Sequence, residues 1–369
     1  MDPDRAAAVA LTVGVEEEFL LLDPNTGENL PVAEKVLAGL PEPVRRRSRR
    51  EFRPSMVEMV TGVCTATTEL TGQLLANRRS VAEAAHGAGA VLVPIGATPV
   101  AERFPEPADD PRFRAITGHY GPIAGDPSVC GCHVHVGVPD EDLAVEVCTR
   151  LRGDLPIIQA LAANSPVFEG ADTGCASWRC VQLERWPSLG PWPHLRSAAD
   201  YRRTVEALIA SGAMMDDTMV LWWARPSASF PTVEVRIADV CPQAADTVLV
   251  AALVRGLVDT AARAAERGTP APVVPDVLLG AAHWNAARTG LDGTLLDPVT
   301  GRARPAWDAV AELVDRIGPA LRRHGDLDLV TAGLDRVARE GTGAARQRRL
   351  LAGAGLSGML DRLAAAATD

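Results

Sequence analysis

Hydrophobic and polar residues alternate along several short stretches of the chain, a pattern typical of strands that bury one face. In the first stretch, residues 11–22, this alternation places Glu16 and Glu18 on one face and Glu17 on the other. Three consecutive glutamates are unfavourable in a strand. We therefore expect a cation to compensate for them.

Further strands are expected at 57–61, 91–96, 129–138 and 229–240. Helical patterns occur at 66–88, at 140–163 with a bend at Pro156, at 198–213, at 244–266, and two or three times within 303–367. The segments 97–128, 164–200 and 270–302 are interpreted as mostly connecting structure. Without an internal repeat or a flexible linker, residues 1–369 are predicted to form one domain, with its sheet within 11–240 and a helical portion over 244–369.

Bulk composition narrows the function classes. The 369-residue chain has a net charge of −10, which argues against nucleic acid or an anionic membrane as the main partner. No apolar run approaches the roughly 20 residues of a membrane span, and Met1–Arg5 lacks the basic start of a signal peptide. The odd number of cysteines, 7, favours a reduced, cytoplasmic protein.

Lysine is almost absent from the chain. Lys35 is the single lysine, so there is no P-loop Gly-Lys-Ser/Thr step, and no dinucleotide-type Gly-x-Gly-x-x-Gly follows a strand. If the protein handles phosphate, arginine and metal must bind it.

Two more segments add candidate metal ligands. Glu51 and Glu58 flank a proline-containing stretch, and His133 and His135 share one face of the strand 129–138. A site dominated by glutamate oxygens favours Mg²⁺ or Mn²⁺, whereas zinc would take more nitrogen and sulfur ligands. The alternatives are one ligand beside a hydrogen-bonding histidine, or two packed core histidines.

Arginines are the remaining candidates. Glu234 and Arg236 share a strand face, which suits a metal ligand beside a phosphate-binding cation or a simple cross-strand ion pair. Arg179, in a polar loop, suits a substrate carboxylate or the solvent-exposed surface. The polar helix 283–288 could line a nucleotide or substrate pocket, and the basic run 45–53 is interpreted as a solvated loop.

Taken together, these segments resemble the carboxylate–amine ligase family, also called glutamate–cysteine ligase type 2, of the glutamine-synthetase-like superfamily. The matching pieces occur in family order, and they are GVEEEF (14–19), EMVTGVC (58–64), GCHVHVG (131–137), ANSP (163–166) with GADTG (170–174), TVEVR (232–236), and WN (284–285) to GL (290–291).

The resemblance implies an α+β fold in which a curved antiparallel sheet forms a funnel with helices packed outside. It implies an ATP-dependent ligase that joins a carboxylate, expected to be the side chain of glutamate, to an amine through an acyl phosphate. The implied partners are small amino-acid and amine substrates, and a homodimer stays open.

The resemblance also assigns residues. The implied metal ligands for Mg²⁺, with Mn²⁺ left open, are Glu16, Glu18, Glu51, Glu58, His133 and Glu234. The implied catalytic residues are Arg236 and Glu58, the substrate-binding residues are Arg179 and His135, and the nucleotide-binding residues are Arg236, Asn285 and Arg288.

One segment departs from the family. Gly96-Ala97-Thr98-Pro99 stands where the family usually has Gly-Thr-His-Pro, which leaves open an amine other than cysteine.

Two rival functions remain at this point. One is a metal-dependent hydrolase that uses His133 and His135, and the other is an inactive binding homologue. Retained carboxylates argue against the latter, since unpaired buried carboxylates destabilise a fold.

Overall fold

The computed structural model describes residues 11–103 and 105–369. The start at Met1–Arg5 lies outside these residues. Strands are β1 (Val13–Leu22), β2 (Ser48–Arg50), β3 (Met56–Val60), β4 (Val91–Val93), β5 (Gly131–Gly137), β6 (Val167–Phe168), β7 (Ala171–Asp172), β8 (Leu189–Gly190), β9 (Leu221–Trp222), β10 (Ala224–Pro226), β11 (Thr232–Asp239), β12 (Thr294–Asp297) and β13 (Arg302–Pro305).

Helices are α1 (Ala33–Gly39), α2 (Glu42–Arg45), α3 (Thr67–Gly87), α4 (Pro111–Tyr120), α5 (Glu141–Leu151), α6 (Leu155–Leu161), α7 (Trp178–Leu183), α8 (Ala198–Ala210), α9 (Ala244–Glu266), α10 (Asp276–Thr289), α11 (Ala306–His324), α12 (Leu327–Glu340) and α13 (Gly343–Ala366). None of the helices in this described part of the chain is both long and apolar enough to cross a bilayer.

A seven-stranded sheet organises the molecule. Its order is β10-β11-β5-β1-β3-β2, with β4 paired to the far end of β1, and neighbouring strands are antiparallel. The sheet is open, with β2 and β10 at its edges. The predicted combination of an antiparallel sheet with packed helices is confirmed.

The predicted alternation of β1 is also confirmed. Val13, Val15, Glu17 and Phe19 are buried, whereas Glu16 and the neighbouring even-numbered positions near the strand's start are only half-buried. The buried face packs against α3 and α9. Glu17 is balanced there by a cation from the protein itself, since Arg78 of α3 donates to both of its carboxylate oxygens.

The helical half follows the sequence pattern closely. The predicted helices at 66–88 and 244–266 correspond to α3 and α9, and three helices fill the C-terminal part as α11, α12 and α13. Arg78 of α3, which pairs with Glu17 of the sheet, also donates to the carbonyls of Pro242 and Ala367. It therefore joins the C-terminal helices to the sheet.

Three expectations were wrong in detail. The connecting segment 97–128 contains α4, which begins at an Asp110 cap followed by Pro111. The bent helix over 140–163 is two helices, because Pro156 lies in the first turn of α6, where its missing N–H costs nothing. Within 270–302, α10 and the hairpin of β12 and β13 are regular structure.

The basic run 45–53 also differs from a solvated loop. Ser48–Arg50 form the edge strand β2, while Arg53 is buried and donates to the carbonyls of Ala124 and Asp126. The arginines from 45 to 50 are all exposed, as expected.

Candidate active site

The polar face of the sheet brings glutamates and a histidine together. On paired strands, Glu16 lies opposite His133 and Glu18 lies opposite Glu58. The Nδ1 atom of His133 is 3.2 Å from Glu16 Oε2, and its Nε2 atom is 3.6 Å from Glu18 Oε1. The imidazole therefore hydrogen-bonds with Glu16 and lies close to Glu18.

Two clusters of candidate metal ligands result. One consists of Glu16, Glu58 and His133, and the other of Glu18, Glu51 and Glu58. In each cluster the ligand atoms lie within 4.8 Å of one another, and Glu58 belongs to both. Five of the six residues assigned to metal are thus adjacent, although they come from three strands and a loop.

Burial of these carboxylates perturbs their ionisation. Burial and then the negative charge of Glu18 raise the pKa of Glu51 to about 8. Burial, followed by the charges of Glu51 and Glu16, raises the pKa of Glu58 well above its ordinary value. For Glu16 burial would raise the pKa, but hydrogen bonds with His133 and His135 hold it well below its usual range.

These shifts describe a site with more negative charge than its own cations neutralise. Buried carboxylates that repel one another are costly unless a cation lies between them. An oxygen-rich donor set with one imidazole fits a hard divalent cation such as Mg²⁺ or Mn²⁺ better than zinc.

His135 lies beside this cluster. Its Nδ1 atom is 3.0 Å from the hydroxyl of Thr232, and its Nε2 atom is 3.4 Å from Glu16 Oε1. The Thr232 contact fixes the ring, so Nε2 is directed towards the carboxylates. Its assignment to substrate stays a prediction.

Glu234 has a different environment from the other acids. Its two oxygens pair with Arg225 Nε at 2.9 Å and Arg236 Nη1 at 2.8 Å. Burial raises its pKa, but Arg236 and Arg225 outweigh this and lower the pKa to about 2. Glu234 thus lies outside both clusters in the described structure, in the ion pair that was the alternative, and its role as a metal ligand stays a prediction.

A cavity of about 330 Å³ opens beside the second cluster. Glu18, Glu51, Arg179 and Arg236 are among the residues that line it. Arg236 thus shares this cavity with two of the carboxylates, and its assignment to phosphate stays a prediction.

Arg179 lies in α7 rather than in the predicted loop, and it is buried in the wall of this cavity. Its guanidinium donates to the carbonyls of Arg236 and Ile237, at 3.3 and 3.4 Å. A Cβ on Gly131 would collide with this guanidinium, so the glycine permits its position. The alternative of a surface arginine is wrong, while its assignment to a substrate carboxylate stays a prediction.

The two residues assigned to nucleotide lie elsewhere. Asn285 accepts a hydrogen bond from the backbone N–H of Leu296 at 2.8 Å, and Arg288 donates to the carbonyl of Gly174. Neither lines the cavity. Both assignments stay predictions, with contacts that serve the structure of α10.

Thr98, at the position where the resemblance led us to expect a histidine, is fully buried. Its hydroxyl donates to the carbonyl of Ser128 at 2.9 Å and accepts from Asn29 at 3.1 Å. Ser128 lines the cavity and Thr98 does not. The substitution is therefore one layer behind the cavity wall.

Sequence reasoning missed Arg53, Gln182 and Arg225. Arg53 and Gln182 are buried and line the cavity, and Arg225 pairs with Glu234. Arg53 stands two residues after Glu51, and that proximity is the one available signal. Nothing in the local sequence distinguishes Gln182.

Comparisons with known proteins agree on one family. Residues 12–365 match the family model described as glutamate–cysteine ligase family 2. A Salinispora arenicola protein named as a candidate glutamate–cysteine ligase 2 is 56% identical over 98% of this chain and 96% of its own length. A Salinispora tropica protein with the same name is 58% identical over 92% of this chain and 90% of its own length.

Solved structures share the fold. A glutamate–cysteine ligase of Francisella tularensis, in complex with AMP, aligns with a TM-score of 0.69 and 14% identity, covering 97% of this chain and 89% of that one. A bifunctional glutathione synthetase of Pasteurella multocida aligns with a TM-score of 0.67 and 14% identity, covering 96% of this chain and 52% of that one.

Proposed function

Because the chain belongs to glutamate–cysteine ligase family 2, a family of ATP-dependent ligases, we propose that its described carboxylate site carries out this ligation. The proposed substrates are ATP, a carboxylate donor expected to be the side chain of glutamate, and an amine. The single observation that carries the proposal is the shared position of Glu58 in two adjacent ligand clusters beside Arg236 and a substrate-sized cavity.

The metal part rests on donor chemistry. Glu16, Glu58 and His133 would hold one divalent cation, and Glu18, Glu51 and Glu58 a second. When bound, Mg²⁺ supplies charge neutralisation and orientation for the triphosphate.

The chain's own residues supply the other part. Arg236, oriented by Glu234, is placed to stabilise charge that develops on the transferred phosphoryl group. Arg179 is placed to bind a substrate carboxylate, with its guanidinium fixed by two backbone carbonyls. Phosphoryl transfer needs positioning and charge rather than covalent help, so a chain with one lysine can support it.

Two steps complete the reaction. A donor carboxylate oxygen attacks the γ-phosphorus, a bond from oxygen to phosphorus forms, the bond to the β-phosphate breaks, and ADP leaves. The neutral amine then attacks the acyl carbon, a carbon–nitrogen bond forms, and phosphate leaves as the nitrogen loses its extra proton.

The comparisons favour the ligase over the metal-dependent hydrolase, since the matched family and both relatives are named as glutamate–cysteine ligases. His133 also contacts two glutamates rather than forming a histidine-dominated pair with His135. An inactive homologue would have little reason to retain the costly carboxylates.

The proposal also covers the domain organisation, the cellular location and the oligomeric state. We regard residues 1–369 as one catalytic domain, supported by the hydrogen bonds of Arg78 across the fold. A cytoplasmic location is supported by the cysteines, all of which are free thiols. A homodimer stays a prediction.

The proposal is tested with purified protein, ATP, Mg²⁺, glutamate and hydroxylamine, a nucleophile small enough to need no acceptor pocket. We expect a hydroxamate to form together with ADP and phosphate. The variant Arg236→Gln should lower kcat by about 100-fold or more. The control is Arg267→Gln, which changes an exposed arginine after α9. ADP formation without any hydroxamate would overturn the proposal.

A further inference from the structure

The cavity beside the second carboxylate cluster continues into an apolar lobe. Its volume of about 330 Å³ lies within the range of small-molecule sites. Besides the carboxylates, its wall contains large hydrophobic side chains, which form the apolar lobe and include Phe113, Ile116, Leu183, Trp186, Met219 and Leu221. Nothing in the metal chemistry requires such a wall.

Several separate elements build this lobe. Phe113 and Ile116 come from α4, Leu183 from the end of α7, and Leu221 from β9. Tyr120 packs against Trp186 with ring centroids 5.0 Å apart, and its hydroxyl accepts from the N–H of Met215 at 3.3 Å. These contacts hold the wall in place, so the lobe is largely preformed.

Buried polar side chains belong to the wall of the same cavity. Arg53, Arg179 and Gln182 line it, and each is at most 4% exposed. Among the described residues, Arg53 Nη1, Arg179 Nε and Gln182 Oε1 have no hydrogen-bond partner. Buried polar atoms are normally paired, so these three retain hydrogen-bonding capacity that a ligand can use once the side chains turn towards it.

These three atoms indicate the chemical class of the ligand that the cavity binds. Two guanidinium donors suit a carboxylate, and one amide oxygen suits a protonated or neutral amine. That combination matches an α-amino acid rather than an adenine base, which carries no negative charge. The carboxylates of Glu18 and Glu51 lie on the same cavity, so an amine bound there would be close to the reacting centre.

The apolar lobe then defines the side chain. A cysteine side chain would leave most of the lobe unfilled and forgo its dispersion contacts. An aliphatic or aromatic side chain would bury its surface against the wall instead. We propose that the amine acceptor of this enzyme is an apolar α-amino acid with a side chain larger than that of cysteine, held by Arg53, Arg179 and Gln182 and packed into this lobe.

This proposal rests on the proposed function, and the hydroxylamine reaction separates the two. Initial rates are measured for amide formation from glutamate and ATP with cysteine, 2-aminobutyrate, valine, leucine and phenylalanine, and the amide is identified by mass. We expect kcat/KM for leucine or phenylalanine to exceed that for cysteine by about tenfold or more. If hydroxamate forms but cysteine is the preferred amino acid, the inference is wrong and the ligase function stands. If no hydroxamate forms, the proposed ligase function is wrong, and so is the inference that rests on it.

A variant ties the preference to the lobe. Leu221→Ala should lower kcat/KM for phenylalanine relative to that for hydroxylamine by about tenfold. Leu183→Ala is the second variant should the first fold poorly. The matched control is Leu208→Ala, a half-buried leucine of α8 that does not line the cavity, which should leave this ratio unchanged. An increased KM for ATP with an unchanged ratio would mean that the lobe holds the nucleotide and would overturn the inference.

Discussion

Glu17 and Arg78 form an ion pair that is shielded from water, with their side chains 1% and 0% exposed. Arg78 Nε donates to Glu17 Oε2 at 3.0 Å, and Thr247 donates to the other oxygen at 2.7 Å. The middle residue of the three glutamates thus belongs to the core, while its two neighbours belong to the candidate site.

Breaking this pair should destabilise the protein far more than replacing it. Arg78→Met leaves a buried unpaired carboxylate, and we expect a loss of about 3–5 kcal/mol in the free energy of unfolding. The double variant with Glu17→Leu should recover most of that loss. Chemical denaturation of both variants measures it.

The exposed pair of Arg50 with Glu34 supplies the control. Arg50→Met should change stability much less, because surface pairs contribute little. Equal losses in the single and double variants at Arg78 and Glu17 would contradict this account of the pair.

Gly131 should control the position of Arg179. In Gly131→Ala the new Cβ would collide with the guanidinium, which must move. Because small displacements of positioning groups are costly, we expect kcat/KM for the amino-acid acceptor to fall by about 100-fold. Steady-state kinetics on the folded variant measure it.

The matched control is Gly72→Ala in α3, where an added Cβ meets nothing within 4 Å. This variant should keep wild-type kinetics. If Gly131→Ala also keeps them, Arg179 does not bind substrate in the orientation described.

The buried His283 should make the free energy of unfolding depend on pH. Burial lowers its pKa from 6.5 to about 3, and its Nδ1 atom lies 2.7 Å from Gln159 Oε1. Below about pH 6.5 the unfolded chain binds a proton that the folded protein does not, so this contribution to stability is present above the unfolded pKa and is lost as the pH falls towards about 3.

The free energy of unfolding should fall by about 1.4 kcal/mol for each pH unit between about pH 6 and pH 4 because of this histidine. Denaturation at several pH values should show a shallower slope for His283→Gln than for wild type, by about this amount. His86→Gln, an exposed histidine of α3, is the control and should retain the wild-type slope. Identical slopes in all three proteins would exclude a neutral buried His283.

The sheet could be predicted because hydrophobic and polar residues alternate along its strands with a period of two. In β1 this alternation predicts that Glu16 and Glu18 share a face, and in β5 that His133 and His135 do. The structure pairs Glu16 with His133 across these two strands. The helix α9 could be predicted to the residue, because Pro242 precedes it and its alanine- and leucine-rich sequence favours helix throughout.

Other features could not be predicted because they depend on tertiary context. The helix α4 has glycine and proline neighbours that favour turns, and only an Asp110 cap marks its start. Arg53 lies in a basic run that should be solvated, yet carbonyls of a distant segment bind its guanidinium. Whether Glu234 faces a metal or Arg225 depends on an adjacent strand that the local sequence does not specify.

The most direct test of the central claim is Mg²⁺-dependent thermal stability. Cation binding to the folded state alone should stabilise wild type by about 3 kcal/mol when Mg²⁺ exceeds its Kd about 100-fold. Glu58→Gln removes the carboxylate that both clusters share and should abolish this stabilisation, whereas Glu83→Gln, an exposed glutamate of α3, should retain it. Equal stabilisation of the Glu58→Gln variant and wild type by Mg²⁺ would contradict the account.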